Sequence, residues 1–154
     1  FIEKRAPGSG AQSRMDYRCG FTGENDGERS DFLVGVSVPV TTVCPCSKEM
    51  SCIGAHNQRS IVRVQVRFRK FFWIEDVISL VEGSASAEDY SLLKRVDEKH
   101  VTETAHANPM FVEDVVRSVA VKLNRDSNFT WYSVEAENIE SIHNHSAYAY
   151  VEKE

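Results

Sequence analysis

The sequence predicts an α+β protein, an antiparallel sheet with two or more helices packed on one face. Three observations predict it. Apolar/polar alternation of the strand kind fills residues 31–43 and 60–70 and returns at 129–137 and 146–151. Helical spacing of apolar residues is confined to the middle of the chain. Gly/Asn/Asp turn signals in the N-terminal part and a short polar link near the C-terminus suit hairpins, so the order strands, helices, strands reads as antiparallel pairing at both ends.

Residues 6–30 are rich in Gly, Ser, Asp and Glu, and Ala6-Pro-Gly-Ser-Gly10 and Gly23-Glu-Asn-Asp-Gly27 are turn strings. Met15 to Thr22 between them reads as one strand, returning through Asp31 to Val43. Pro39 lacks a backbone donor, which predicts a bulge or an edge near the end of that strand. Residues 45–58 read as a loop. From Ser60 to Lys70, Val62, Val64, Val66 and Phe68 point one way and Arg63, Gln65, Arg67 and Arg69 the other, a half-buried strand with a wet, basic face.

Ile74, Val77, Ile78 and Val81 recur at helical spacing, which predicts a helix over 74–82 that ends near Gly83. Ser86 to Arg95 reads as a weaker helix anchored by Leu92 and Leu93, and Val96 to Thr104 as a charged loop. Asn108-Pro109 reads as a cap followed by proline in the first helical position. Phe111, Val112, Val115, Val116, Val119 and Leu123 form the buried stripe of a helix that runs to about Asn124. Thr130, Tyr132, Val134 and Ala136 then alternate against Trp131, Ser133, Glu135 and Glu137, and Ser146 to Val151 is the last strand.

At 154 residues the chain is sized for a single domain. Apolar residues at 42% and charged ones at 27% describe a globular chain. A formal net charge of −5 argues against a general nucleic-acid binder, so any anionic ligand has to be met by a local cluster of Lys and Arg. Cys19, Cys44, Cys46 and Cys52 are too few and too bunched for a disulfide scaffold, so reduced thiols and a cytoplasmic location are expected. No apolar run approaches the roughly 20 residues of a membrane span, and Phe1-Ile-Glu-Lys-Arg5 is not a signal peptide. The chain begins without Met and in mid-pattern, which suggests the C-terminal part of a longer polypeptide.

The candidate chemistry gathers around Cys44-Pro-Cys46 and His56. A strand that ends in a thiol, followed by a loop that returns an imidazole, can place two soft donors on one metal ion. Alone, the cysteines are equally two small buried hydrophobes, and His56 a solvated side chain. Asp97 and Glu98 lie in a charge run that needs no function, yet a carboxylate there could complete a three-ligand set with an open position, the catalytic zinc pattern. Glu113 and Asp114 open the best helix, where acidic residues are favoured in any case. His143 and His145, preceded by Glu140, share a face if extended. Together these suggest metal-assisted hydrolysis. A closed zinc-binding module without catalysis, using Cys44, Cys46, His56 and one more ligand, is the rival reading.

Five strings sharpen this. Pro39-Val-Thr-Thr-Val-Cys-Pro-Cys-Ser-Lys-Glu-Met-Ser51, Gly54-Ala-His-Asn-Gln-Arg-Ser60, Leu93-Lys-Arg-Val-Asp-Glu-Lys99, Asn108-Pro-Met-Phe-Val-Glu-Asp114 and Glu137 to Tyr150 resemble the type IB GTP cyclohydrolase I family, in order and along the whole chain. The resemblance implies a tunnelling fold in a single domain over 1–154, homo-oligomers of four or more copies, and active sites between subunits. It implies hydrolysis of GTP to 7,8-dihydroneopterin triphosphate and formate, the first step toward tetrahydrofolate. A relative forming a cyclic phosphate is the neighbouring alternative. It implies a divalent ion (Zn, Mn or Fe) held by Cys44, His56 and Glu98, with Cys44, His143 and Glu113 acting in catalysis. Glu140 would hold the guanine edge, and Lys48 and Arg59, with Lys94, would meet the triphosphate. Cys46 would modulate the site by pairing reversibly with Cys44. Departures from the family pattern are Cys52 and Ile53 before Gly54, and Val96 where a proline is expected.

Overall fold

The computed structural model describes residues 1–28 and 30–153. A short hairpin comes first, β1 (Ile2–Arg5) and β2 (Gln12–Met15), with Ala6-Pro-Gly-Ser-Gly10 as its turn and Gly10 in the left-handed region at φ 69°. The main sheet is built from β3 (Arg18–Asn25), β4 (Ser30–Val43), β5 (Asn57–Phe68), β7 (Phe129–Ile139) and β8 (Ser146–Glu152), in the order β3-β4-β5-β7-β8 and antiparallel throughout. A two-residue β6 (Ala87–Glu88) pairs with β4. Four helices lie on one face: α1 (Pro45–Met50), α2 (Ile74–Glu82), α3 (Arg95–Ala107) and α4 (Val112–Arg125).

Valine makes the core. Val34, Val36, Val38 and Val40 of β4, Val62, Val64 and Val66 of β5 and Val134 of β7 share one face of the sheet and are buried. Branched side chains suit such a surface because their restricted rotamers lose little on packing. Val77, Ile78 and Val81 of α2 and Val112, Val115, Val116, Val119 and Leu123 of α4 close over them. A smaller cluster, Val43, Ala87 and Ala105, joins α3 to the end of β4.

The opposite face is wet, as the alternation requires, but its charge is balanced. Arg63 pairs with Glu135 at 3.0 Å, and Arg67 pairs with Asp31 at 2.8 Å while lying over the Trp131 ring. Pro39 stays in register with Ile61 and no bulge forms there. It falls instead in the gap between the two partners on the other side of β4: pairing with β3 ends at Ser37, and pairing with β6 begins at Val40. The missing N–H therefore costs no ladder bond, which is the edge reading of Pro39.

The middle of the chain departs from the expectation. The stretch 45–58 is not all loop, because Pro45 opens the short helix α1 and the Cys44 side chain accepts from Ser47 N–H at its start. Ser86 to Arg95 holds β6 rather than a helix, and the helix begins where a charged loop was expected. Helix α3 carries little apolar surface, so periodicity misses it. It is fixed by Asp97, fully buried, whose carboxylate accepts from Lys94 N–H at 2.8 Å within the helix start. The same carboxylate accepts from Gly8 N–H, Ser9 N–H and Ser9 Oγ at 2.6–2.8 Å, tying the β1–β2 turn to α3. A side chain at Gly8 would stand 3.0 Å from Val96, which helps keep this approach close. Asn108 ends α3 rather than starting α4. It caps the last turn and donates to Ala85 O, while α4 opens after Phe111. Met15 to Thr22 is likewise two strands, parted at Asp16 and Tyr17.

Candidate active site at the end of the sheet

The predicted donors come to one end of the sheet because three chain segments turn there. Strand β4 ends at Cys44, the α1 loop returns to His56 before β5, and β7 passes through Glu140 into the link to β8. The backbone N–H of Cys44 donates to His56 O at 3.2 Å, closing the loop. Ser47 strengthens the closure, with Oγ donating to Cys44 O and accepting from His56 N–H, both at 3.2 Å. Ser141 Oγ stands 3.4 Å from His56 Nδ1, which brings the β7–β8 link against the loop.

These elements enclose a cavity of about 270 Å³, walled among others by Cys44, His56, Glu113, Glu140, His143 and His145. Glu113 reaches it from the first turn of α4. The His143 and His145 rings stack at 5.1 Å between centroids, inclined by 24°. A larger hollow of about 380 Å³, near Phe71, Phe72 and Trp73, is walled mainly by aromatic and aliphatic side chains, with Cys19 and Glu75 but no histidine among them.

Other predicted residues stand elsewhere. Glu98 is exposed in the first turn of α3 and does not line the cavity. Lys48, on α1, donates through Nζ to His106 O at the end of α3. Arg59 lies on the wet face of β5, 3.7 Å from Asp89, and Lys94 immediately precedes α3. Cys46 is exposed and unpaired. Among the described residues no three His, Cys, Asp or Glu side chains of one protomer stand close enough to hold a metal ion together. Cys44 and His56 are nonetheless a donor pair of the soft kind, adjacent, partly exposed and lining one space.

The floor of the cavity was missed by the motif reading. Gln58 and Asn138 line it, although they are only 7% and 2% exposed. Gln58 lies across from Thr42, and Asn138 across from Ser60, on the face that elsewhere carries valine. Gln58 Nε2 donates to Glu140 Oε1 at 3.5 Å. Gln58 Oε1, Asn138 Oδ1, Thr42 Oγ1 and Ser60 Oγ are buried with no protein partner, each at a cost of about 1–3 kcal/mol. The signal was available: the parity that buries Val62, Val64 and Val66 also buries Ser60 and Gln58, and that of Tyr132, Val134 and Ala136 also buries Asn138.

Fold and site together define an α+β protein with a cavity of thiol, imidazole and carboxylate groups where a helix-covered antiparallel sheet ends. A sequence model described as "Type I GTP cyclohydrolase folE2" matches residues 1–149, and the chain belongs to this family. It is 75% identical over all 154 residues to a protein named GTP cyclohydrolase FolE2 from Syntrophus aciditrophicus, covering 60% of that protein. It is 60% identical to the protein of the same name from Geotalea uraniireducens over 154 residues, 56% of its length. The identity to that from Geobacter metallireducens is 58%, over 59% of its length. The chain thus spans about three-fifths of the length of the curated relatives it matches. No helix among the described residues is long and apolar enough to cross a membrane.

Proposed function

We propose that the protein to which this chain belongs hydrolyses GTP to 7,8-dihydroneopterin triphosphate and formate, with a divalent metal ion, and that this chain carries the metal-binding part of the site. The observation that carries the reading is the meeting of Cys44, His56, Glu113, Glu140 and His143, from separate segments, on one cavity. Family membership and the names of the relatives support the same reaction.

Cys44 and His56 would hold the ion, with Glu98 as the third ligand contributed by a neighbouring copy. When bound, the ion supplies Lewis acidity and lowers the pKa of water, the requirement for attack at C8 of guanine near neutral pH. A thiolate and an imidazole suit zinc, and a carboxylate leaves room for manganese or iron. Glu113 orients the attacking water, and His143 carries protons between it and the opening imidazole ring. The carbon that becomes formate leaves from that ring. Glu140, acceptor-only when ionised, takes hydrogen bonds from N1–H and the exocyclic amine of guanine. Lys48, Arg59 and Lys94 remain candidates for the triphosphate, to be met in the assembled protein.

The cavity of one protomer is small for a nucleotide, about 270 Å³ against roughly 300–1,000 Å³ for small-molecule sites. That size suits a site whose triphosphate end is completed by a second chain, and the family resemblance is what implies a homo-oligomer of four or more copies. The test is incubation of the full-length protein with GTP and Zn²⁺ or Mn²⁺, following pterin fluorescence, formate and product mass. Formate with dihydroneopterin triphosphate is expected. A cyclic-phosphate product would change the reaction assigned, and tight zinc with no turnover would make this a binding module.

A further inference from the structure

We propose that the β1–β2 turn is a positioning element for the metal site: through the Asp97 carboxylate, Gly8 and Ser9 fix the rotation of α3 and so the direction in which Glu98 is offered to the ion. The inference rests on the function proposed above and names what holds its third ligand. Glu98 follows Asp97 directly in the first turn of α3. Asp97 is fully buried while Glu98 is exposed, and on an α-helix neighbouring side chains stand about 100° apart round the axis. Whatever fixes Asp97 therefore fixes the heading of Glu98.

Little else sets that end of the helix. The inward positions of α3 are Asp97, Val101 and Ala105, too narrow an apolar stripe to lock its rotation. The carboxylate does this instead. Its Oδ1 accepts from Gly8 N–H at 2.8 Å and Ser9 N–H at 2.7 Å, and its Oδ2 from Ser9 Oγ at 2.6 Å and Lys94 N–H at 2.8 Å. Hydrogen bonds to a carboxylate are short and strong, and here they converge from two separate segments on one group. Gly8 stands so near that an added Cβ would lie 3.0 Å from Val96 Cγ2 and 3.2 Å from Asp97 Oδ1. The far end of α3 meets the loop of the soft donors. Val101 and Ala105 belong to the cluster that holds Val43 and Ala55, the residues just before Cys44 and His56, and Lys48 Nζ donates to His106 O. The helix is thus braced by the donor loop at one end and by the β1–β2 turn at the end that displays Glu98. Outer partners that orient a metal ligand raise affinity without touching the ion.

The test is zinc affinity of the full-length protein, measured by competition with a chromogenic chelator at unchanged oligomer size. Ser9→Ala removes one of the four bonds to Asp97 and leaves three, so the fold is expected to hold. It is expected to weaken zinc about tenfold, and Ser9→Thr, which keeps the hydroxyl, to restore affinity to within about twofold. In a Glu98→Gln background, Ser9→Ala is expected to add nothing, because the ligand it positions is gone. Unchanged affinity in folded Ser9→Ala, or an equal loss with and without Glu98, overturns the inference and leaves the proposed function standing. A Glu98→Gln protein that holds zinc as tightly as wild type removes Glu98 from the site and the inference with it. If Ser9→Ala fails to fold, Gly8→Ala, which crowds Val96 but keeps the hydroxyl, decides by the same comparison. If neither folds, the turn serves the fold alone and the inference is overturned.

Discussion

The backbone N–H of Cys44 donates to the carbonyl oxygen of His56 at 3.2 Å, so the main chain joins the two ends of the loop that carries both soft donors. Their spacing is therefore set by β4, α1 and the start of β5 before any ion arrives. Such pre-organisation lowers the ordering cost of binding. In the full-length protein, Cys44→Ala is expected to lower metal occupancy from about one per chain to near zero, and activity by at least about 100-fold. Cys46→Ala is expected to keep metal and most activity, since Cys46 is exposed and does not line the cavity. Metal analysis on both purified variants checks this, and the opposite pattern would favour the closed four-ligand module.

Glu98 stands outside the cavity of its own protomer. If a neighbour supplies it, Cys44→Ala and Glu98→Gln chains are each inactive alone but complement one another when mixed. Co-refolding the two is expected to restore roughly a quarter of the activity if they assort at random, since one of the four donor pairings at an interface is then intact. No recovery in confirmed mixed oligomers would place Glu98 in the same chain's site, or outside the site altogether.

The Asp97 carboxylate makes a pH prediction. Burial pushes its pKa up, but hydrogen bonds from the Ser9 hydroxyl and from the N–H groups of Lys94, Ser9 and Gly8 outweigh burial and hold it well below the usual carboxylate range. A folded-state pKa below the unfolded one gives stability that is present above about pH 4 and lost as pH falls through the depressed value. Chemical denaturation at pH 7 and pH 3 is expected to show that loss, and Asp97→Asn to show a smaller one from a lower starting point. An equal loss in both would assign the acid sensitivity to other groups.

Leu123, fully buried between α4 and the sheet, tests the core. Leu123→Ala is expected to cost about 2–5 kcal/mol by urea unfolding, with the spread set by how far the surrounding valines relax. Arg67→Ala, by contrast, removes a half-exposed pair with Asp31 and is expected to cost no more than about 1 kcal/mol.

The strands and the two apolar helices were legible because burial imposes a period that residues such as Val62, Val64 and Val66, or Val115, Val119 and Leu123, report directly. Helix α3 was not, because its start depends on a carboxylate bonded to a turn nearly ninety residues away in sequence, which no local window contains. Asn108-Pro109 misled for a related reason: the same two residues suit the end of one helix as well as the start of the next. At the site, Cys44, His56, Glu113, Glu140 and His143 were legible as motif residues that share a cavity. Gln58 and Asn138 lie within two of the five strings but carry no assigned role there, and their inward parity is what marks them.

Pro39 has a further consequence. On the side of β4 away from β5, Val38 and Pro39 lie between the segments covered by β3 and β6, a short open length of main chain in a valine-rich strand. An intruding strand from another molecule would find one donor missing there and a ring in its path. Proline at that position is one of the devices that discourage strand addition at an unpaired length of sheet, and a valine in its place would restore the donor.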